Sequence, residues 1–348
     1  MSDLALTVAG AGVDLPVAVS LAGLAGRLDC GRALGGTLRR FDAPHTDLPP
    51  LAAEVGECTG PASTAARQRG LPREARLAAA VAATALAEPS AGERVGTVWA
   101  SSTAGLEQYG QICVDAATLD PGLVSPLTGP QAAYNGPASA VSLRLGLTGP
   151  QLTLTGSAEA GAAALVEAAR LLAEEQCAEV LVGGSASLSR WRLAGAAMGR
   201  GPVPAEGAVC LRLVGPLGGG TTQRGDAVTV RPLRRARLSP TAGEEVSRFV
   251  KEATTAMRCP PVAVALSAAN PAEVAAMGPA LRSFALPWWH LERITGDLGA
   301  AGGLLAVVAA VAACGRARKA VRSVLVLALG GGQAVAVEAL SHPPRRGL

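Results

Sequence analysis

The chain has 348 residues, a mass of 34.7 kDa and a formal charge of +4. Hydrophobic residues make up 49% and aromatics only 3%, which excludes global disorder and requires a core of Ala, Leu and Val. The charge excess is too small and scattered for a nucleic-acid footprint, and the length predicts two domains or one duplicated one.

Only two basic residues are lysines, Lys251 and Lys319, so Schiff-base chemistry has few candidates. The seven cysteines form no CxxC, so they read as reduced thiols in a cytoplasmic protein, and no metal site is expected. Met1-Ser2-Asp3-Leu4 shows no signal-peptide pattern. The most apolar stretch, Leu298 to Ala313, is shorter than the ~20 residues of a membrane span. A soluble protein without membrane or nucleic-acid partners is expected.

Taken along the chain, Ala5–Ala9 reads as a strand followed by a Gly- and Pro-punctuated stretch, and residues 74–87 as a helix. Val95–Ala100 is a strand running into a helix from about Thr103 to Ala117. Ala138–Leu145 is a short helix, and Gln151–Leu154 a strand ending at Thr155-Gly156. A pattern then occurs twice. Helix 158–175, strand Glu179–Val182, Gly183-Gly184 and strand Ala208–Leu213 form the first copy. Helix 299–313, strand Val324–Leu329, Gly330-Gly331-Gly332 and strand Ala334–Ala339 form the second. Such a repeat predicts an α/β fold of two similar halves, with Ala-rich helices buried between sheets. The glycine runs at 183–184, 218–220 and 330–332 do not sit in a βαβ fingerprint, so no dinucleotide or other cofactor is expected. The basic residues Arg345 and Arg346 read as a plain terminal tail.

These features resemble the thiolase-fold β-ketoacyl synthases. Asn135-Gly136-Pro137-Ala138 with Gly146-Leu147-Thr148-Gly149-Pro150 resembles the family's approach to its nucleophile. Glu206-Gly207-Ala208, Thr295-Gly296-Asp297-Leu298-Gly299-Ala300-Ala301-Gly302 and Gly330-Gly331-Gly332-Gln333-Ala334 resemble its later motifs, so that the likeness spans about residues 70–340. The resemblance implies a duplicated thiolase-like fold, layered αβαβα, with halves at 1–214 and 215–348.

An active ketosynthase carries a cysteine at the start of the buried helix, where helix dipole and backbone N–H groups favour the thiolate, and two histidines. Here Thr155-Gly156-Ser157-Ala158-Glu159-Ala160-Gly161 places Ala158 at the nucleophile position, with Ser157 beside it. No histidine occurs in Leu266-Ser267-Ala268-Ala269-Asn270, and Asp297 stands at the second histidine position. The set resembles the chain length factor of type II polyketide synthases. That resemblance implies a non-catalytic subunit, paired with an active ketosynthase, that shapes the tunnel setting polyketide or polyene chain length. An acyl carrier protein would deliver the growing chain through the ketosynthase. It further implies a tunnel lining of Leu106, Tyr109, Ile112, Cys113 and Ala116, of which Leu106, Tyr109, Cys113 and Ala116 share one helical face. Gln151, Leu152, Thr153, Leu154 and Asn135 would lie at the dimer interface.

Plainer readings stand beside these. Ser157 is expected to cap its helix or to make a turn hydrogen bond, Asp297 to cap helix 299–313, and Glu159 to complement the helix dipole. The face bearing Tyr109 is either ordinary core or an interface lining. A rival enzyme, an acyltransferase or hydrolase acting through Ser157, would need a base, for which His290 and Asp297 are the candidates. A scaffolding homodimer is the third reading.

Overall fold

The computed structural model describes residues 4–30, 36–37, 51–56, 70–87, 94–119, 121–197, 201–215, 227–239, 243–315 and 322–342. The glycine run 218–220, Lys319 and the tail at Arg345 and Arg346 lie outside them.

The chain begins with β1 (Leu6–Asp14), α1 (Leu21–Cys30), the two-residue strands β2 (Gly36–Thr37) and β3 (Leu51–Ala52), and α2 (Arg73–Leu86). Next come β4 (Val95–Ala100), α3 (Leu106–Thr118), α4 (Gly136–Leu145), β5 (Gln151–Leu154) and α5 (Glu159–Ala173). β6 (Glu179–Ala186), α6 (Arg190–Ala197) and β7 (Gly207–Val214) follow. The later elements are β8 (Val228–Arg237), α7 (Gly243–Thr255), β9 (Ala263–Ser267), α8 (Pro271–Ser283), β10 (Trp288–His290) and α9 (Leu291–Thr295). α10 (Ala301–Gly315), β11 (Ser323–Gly330) and β12 (Gln333–Ser341) complete the order.

Ten strands form one sheet in the order β10-β9-β11-β12-β8-β1-β7-β6-β4-β5. The same plan occurs twice in it. In each set, counted in chain order, the strands lie 3-2-4-5-1, parallel among the third, second and fourth and antiparallel across the fifth. The two sets join where Leu6 and Thr7 of β1 meet Val230 and Thr229 of β8. α5 and α10 lie between the sets, α2 and α4 cover one outer face, and α7 and α8 the other. This is the expected αβαβα layering.

Strand periodicity explains why both faces are apolar. Val324, Val326 and Ala328 point to the central helices, while Leu325, Leu327 and Leu329 point to α7 and α8. The helices need small residues because their backbones touch. A Cβ on Gly303 would stand 1.9 Å from Ala158 O, and one on Gly161 2.4 Å from Ala300 O.

Two glycine readings need correction. Gly183-Gly184 is not a turn; β6 runs through it to Ala186, since a Cβ on Gly183 would strike the Trp99 ring at 2.0 Å. The stretch after Ala9 continues β1 to Asp14, its glycines admitting α2 against the strand, with Val81 O only 2.0 Å from a Cβ on Gly12. Gly331-Gly332 does form a turn, with φ 58° and 73°, as a two-residue hairpin between β11 and β12 requires. No helix among the described residues is long and apolar enough to cross a membrane.

Candidate functional site

The site lies at the start of α5, where β5 delivers the chain to the central layer. Thr155, Gly156 and Ser157 are exposed, and Ala158, the N-cap, is buried in helical geometry. An alanine has no oxygen to cap with, and Ser157 makes no side-chain cap either. Instead Ser157 N donates to Glu159 Oε1 at 3.2 Å, so the carboxylate one residue inside the helix satisfies the freed backbone. Of the two roles expected of Ser157, a helix cap or a turn hydrogen bond, its side chain does not form the cap. Glu159 is buried and its Oε2 has no hydrogen-bond partner. Burial pushes its carboxyl above the usual range, against the backbone hydrogen bonds and the charge of Arg235. The β11–β12 turn closes over the helix start, where a Cβ on Gly330 would sit 2.2 Å from Glu159 Oε2.

Opposite Ala158 stands Gly302 of α10. A Cβ there would lie 2.8 Å from Ser267 Oγ, 3.1 Å from Glu292 Oε1 and 3.7 Å from Ala158 Cβ. Four elements thus bring together the methyl of Ala158, the hydroxyl of Ser267 and the carboxylate of Glu292. Ser267 Oγ donates to Glu292 Oε1 in a short bond. His290 Nε2 donates to Ala268 O at 2.9 Å and stands 3.3 Å from Glu292 Oε2. Burial disfavours its imidazolium, but Glu292 and the Ala268 carbonyl outweigh that and raise its pKa. Glu273, in the first turn of α8, is buried nearby, its carboxyl raised by burial and then by the charges of Glu159 and Glu292. Three carboxyl groups, Glu159, Glu273 and Glu292, thus lie close enough to influence one another. No group of three or more His, Cys, Asp or Glu among the described residues is arranged to hold a metal ion.

Asp297 is not the N-cap of α10, which begins only at Ala301, but holds the turn that leads into it. Its Oδ1 accepts from Gly299 N at 2.7 Å in the turn before α10, and its carbonyl accepts from Arg192 Nη2 at 2.6 Å. The structure brings no pair of Ser157, His290 and Asp297 into hydrogen-bond contact: His290 is engaged by Ala268 and Glu292, and its Nδ1 has no partner. Sequence reasoning missed Ser267, Glu273 and Glu292. The available signal was Ser267 inside the segment where the first histidine was expected, with Glu292 five residues before Asp297.

The residues assigned to the tunnel lie on α3. Tyr109 is 61% exposed, Cys113 and Ala116 are exposed, and Leu106 and Ile112 are half-buried, so this face is not ordinary core. Only Gly110 of the helix is buried, its Cα lying under the Trp191 indole, while Glu107 pairs with Arg190. The expected interface strand β5 ends the sheet: Gln151 is exposed, Leu152, Thr153 and Leu154 are half-buried, and Thr153 Oγ1 has no hydrogen-bond partner. Asn135, exposed, begins α4. Six of the nine exposed large apolar side chains among the described residues, Tyr109, Leu119, Leu123, Leu127, Tyr134 and Leu143, fall between β4 and β5. Exposed apolar side chains thus concentrate in the stretch of chain that ends at the open edge strand.

Residues 64–211 match the β-ketoacyl synthase N-terminal domain family. The fold is similar to the ishigamide ketosynthase/chain length factor, with a TM-score of 0.76, 22% identity, and coverage of 98% of this chain and 99% of that one. It is also similar to a β-ketoacyl synthase from Burkholderia phymatum STM815, with a TM-score of 0.74, 17% identity, and coverage of 99% and 100%. A third similar structure is titled as a type II PKS acyl-carrier protein in complex with its ketosynthase bound to the hexaketide. There the TM-score is 0.73, the identity 12%, and the coverage 98% and 100%. No curated protein sequence matches the chain. The likeness to ketosynthases read in the sequence thus holds for the fold along the whole chain, and for the sequence over its N-terminal domain.

Proposed function

We propose that this chain is a non-catalytic ketosynthase-like subunit, a chain length factor that pairs with an active β-ketoacyl synthase and lines the tunnel for the growing polyketide or polyene. One observation carries the reading: the start of the central helix offers a buried methyl, Ala158, facing a Ser267–Glu292 pair, where carbon–carbon bond formation needs a thiolate and two histidines. The similar structures, one titled a ketosynthase/chain length factor and one a ketosynthase with its acyl-carrier protein, support the choice of partner. The interface comprises β5 with Asn135, and residues 1–214 and 215–348 form the two thiolase-like halves. The tunnel lining is Leu106, Tyr109, Ile112, Cys113 and Ala116.

The exposure of Tyr109 in the single chain supports its position at a lining that a partner completes. Cys113 lies about one helical turn, roughly 5.4 Å, deeper. In the reconstituted heterodimer, Tyr109→Ala lengthens the products, and Ala116→Phe affects only chains long enough to reach that level. Chromatography with mass spectrometry reads the result. An unchanged distribution in Tyr109→Ala, with the heterodimer intact, places the gate elsewhere.

A further inference from the structure

Glu74, on α2, is 2% exposed and lies far from the start of α5 in sequence, yet it collects four hydroxyls. Ser101 Oγ donates to its Oε1 at 2.5 Å and Ser185 Oγ at 2.9 Å. Thr103 Oγ1 donates to its Oε2 at 2.7 Å and Ser187 Oγ at 3.2 Å. A hydroxyl has one proton, so each of these is committed to the carboxylate and its lone pairs are left to accept. They accept in the places that shape the loop into α3. Ser101 Oγ takes the N–H groups of Thr103 at 3.1 Å and Ala104 at 3.0 Å, and Thr103 Oγ1 takes that of Ser187 at 3.1 Å. Ser185 Oγ takes Trp99 Nε1 at 2.9 Å.

The same loop is tied on two other sides. Ser101 N donates to Leu154 O of the edge strand at 3.1 Å, and Ala300 N, before α10, donates to Ser102 Oγ at 3.2 Å. α3 itself starts from Gly105 at φ 72° with no side-chain cap, so its N-terminal end is set by this loop, while Trp191 and Arg190 hold it further along. We propose that Glu74 is a positioning residue for α3: by orienting Ser101 and Thr103 it sets the depth at which Tyr109 stands, and so the length of the product. The inference rests on the reading of α3 as a tunnel helix.

Ser101→Ala and Thr103→Val each remove one hydroxyl from the carboxylate with little change of volume, and Glu74→Gln replaces two acceptor oxygens by one. Hydrogen–deuterium exchange of residues 103–112 is measured on the full chain, and product lengths on the heterodimer with Tyr109→Ala alongside. The expected result is exchange about tenfold faster in this segment, as loss of a buried hydrogen bond produces, together with a broadened product distribution. Unaltered exchange overturns the positioning role. Faster exchange with unchanged products, while Tyr109→Ala shifts them, overturns the link to length and leaves the tunnel reading standing. Unchanged products in every variant, Tyr109→Ala included, overturn both.

Discussion

Ala158 differs from a reactive cysteine by one sulfur atom, but its surroundings have changed as well. A thiolate at a helix start is favoured by the dipole and by free N–H groups. Here Glu159 already accepts from Ser157 N, and Glu273 and Glu292 add negative charge nearby. Ala158→Cys is therefore expected to alkylate slowly at neutral pH. Adding Glu159→Gln accelerates it by about tenfold, the change in thiolate fraction that one pKa unit gives, as peptide mapping after iodoacetamide treatment will read. Glu273 gives a second residue-scale outcome. Its folded pKa is raised above the ordinary 4.5, so the folded state holds a proton that the unfolded chain has released, and stability falls as pH rises from 4.5 through the folded value. Glu273→Gln removes that loss. Its melting temperature should exceed that of the parent protein at neutral pH, with the difference vanishing below pH 4.5. Of these acids only Glu159 was singled out from sequence, since Glu273 and Glu292 look like ordinary first-turn residues of their helices. Only the tertiary structure, which brings α8 and α9 to the start of α5, makes them neighbours.

At the scale of elements, α3 shows what periodicity can and cannot tell. The spacing of Leu106, Tyr109, Cys113 and Ala116 defines a face, but it does not say whether protein or solvent covers it. The answer comes from the opposite side, where Gly110 admits Trp191 from 81 residues further along. A Cβ at Gly110 would lie 1.9 Å from Trp191 Nε1. Gly110→Ala should thus displace the helix and cost about 1–3 kcal/mol, as overpacking does, seen as a lower denaturation midpoint with unchanged slope. The central helices were legible because backbone contact leaves a plain mark, long runs of Ala and Gly. The glycines of β1 and β6 carry the same kind of mark, but without the knowledge that α2 or Trp99 approaches them they read as turns. The loop into α3 was opaque for a related reason: Ser101 and Thr103 are common loop residues, and only Glu74, from another layer, gives them a shared role.

For the whole molecule, the twofold strand plan explains both the composition and the unpartnered edge. Duplication buries α5 and α10 between two sets of strands, and the start of α5 gathers Ala158 with the acidic side chains of Glu159, Glu273 and Glu292. The repeat of helix and strand was visible in sequence because both central helices obey the same packing limit, although its glycines sit mid-strand in one copy and in a hairpin turn in the other. The surface from Tyr109 to Leu143 follows no internal limit and had to be read from exposure. A partner that adds a strand beside Gln151–Leu154 would cover that surface, burying about 2,000 Å² or more as obligate interfaces do. The proposed role requires that this chain assemble with a ketosynthase and carry no acyl group itself. Native mass spectrometry of the chain co-expressed with a ketosynthase that has its Cys and both His intact, after incubation with acyl carrier protein thioester, tests it most directly. The expected result is a one-to-one complex in which only the ketosynthase gains the acyl mass. A chain that remains monomeric beside the ketosynthase, or an acyl adduct on Ser157, would contradict it.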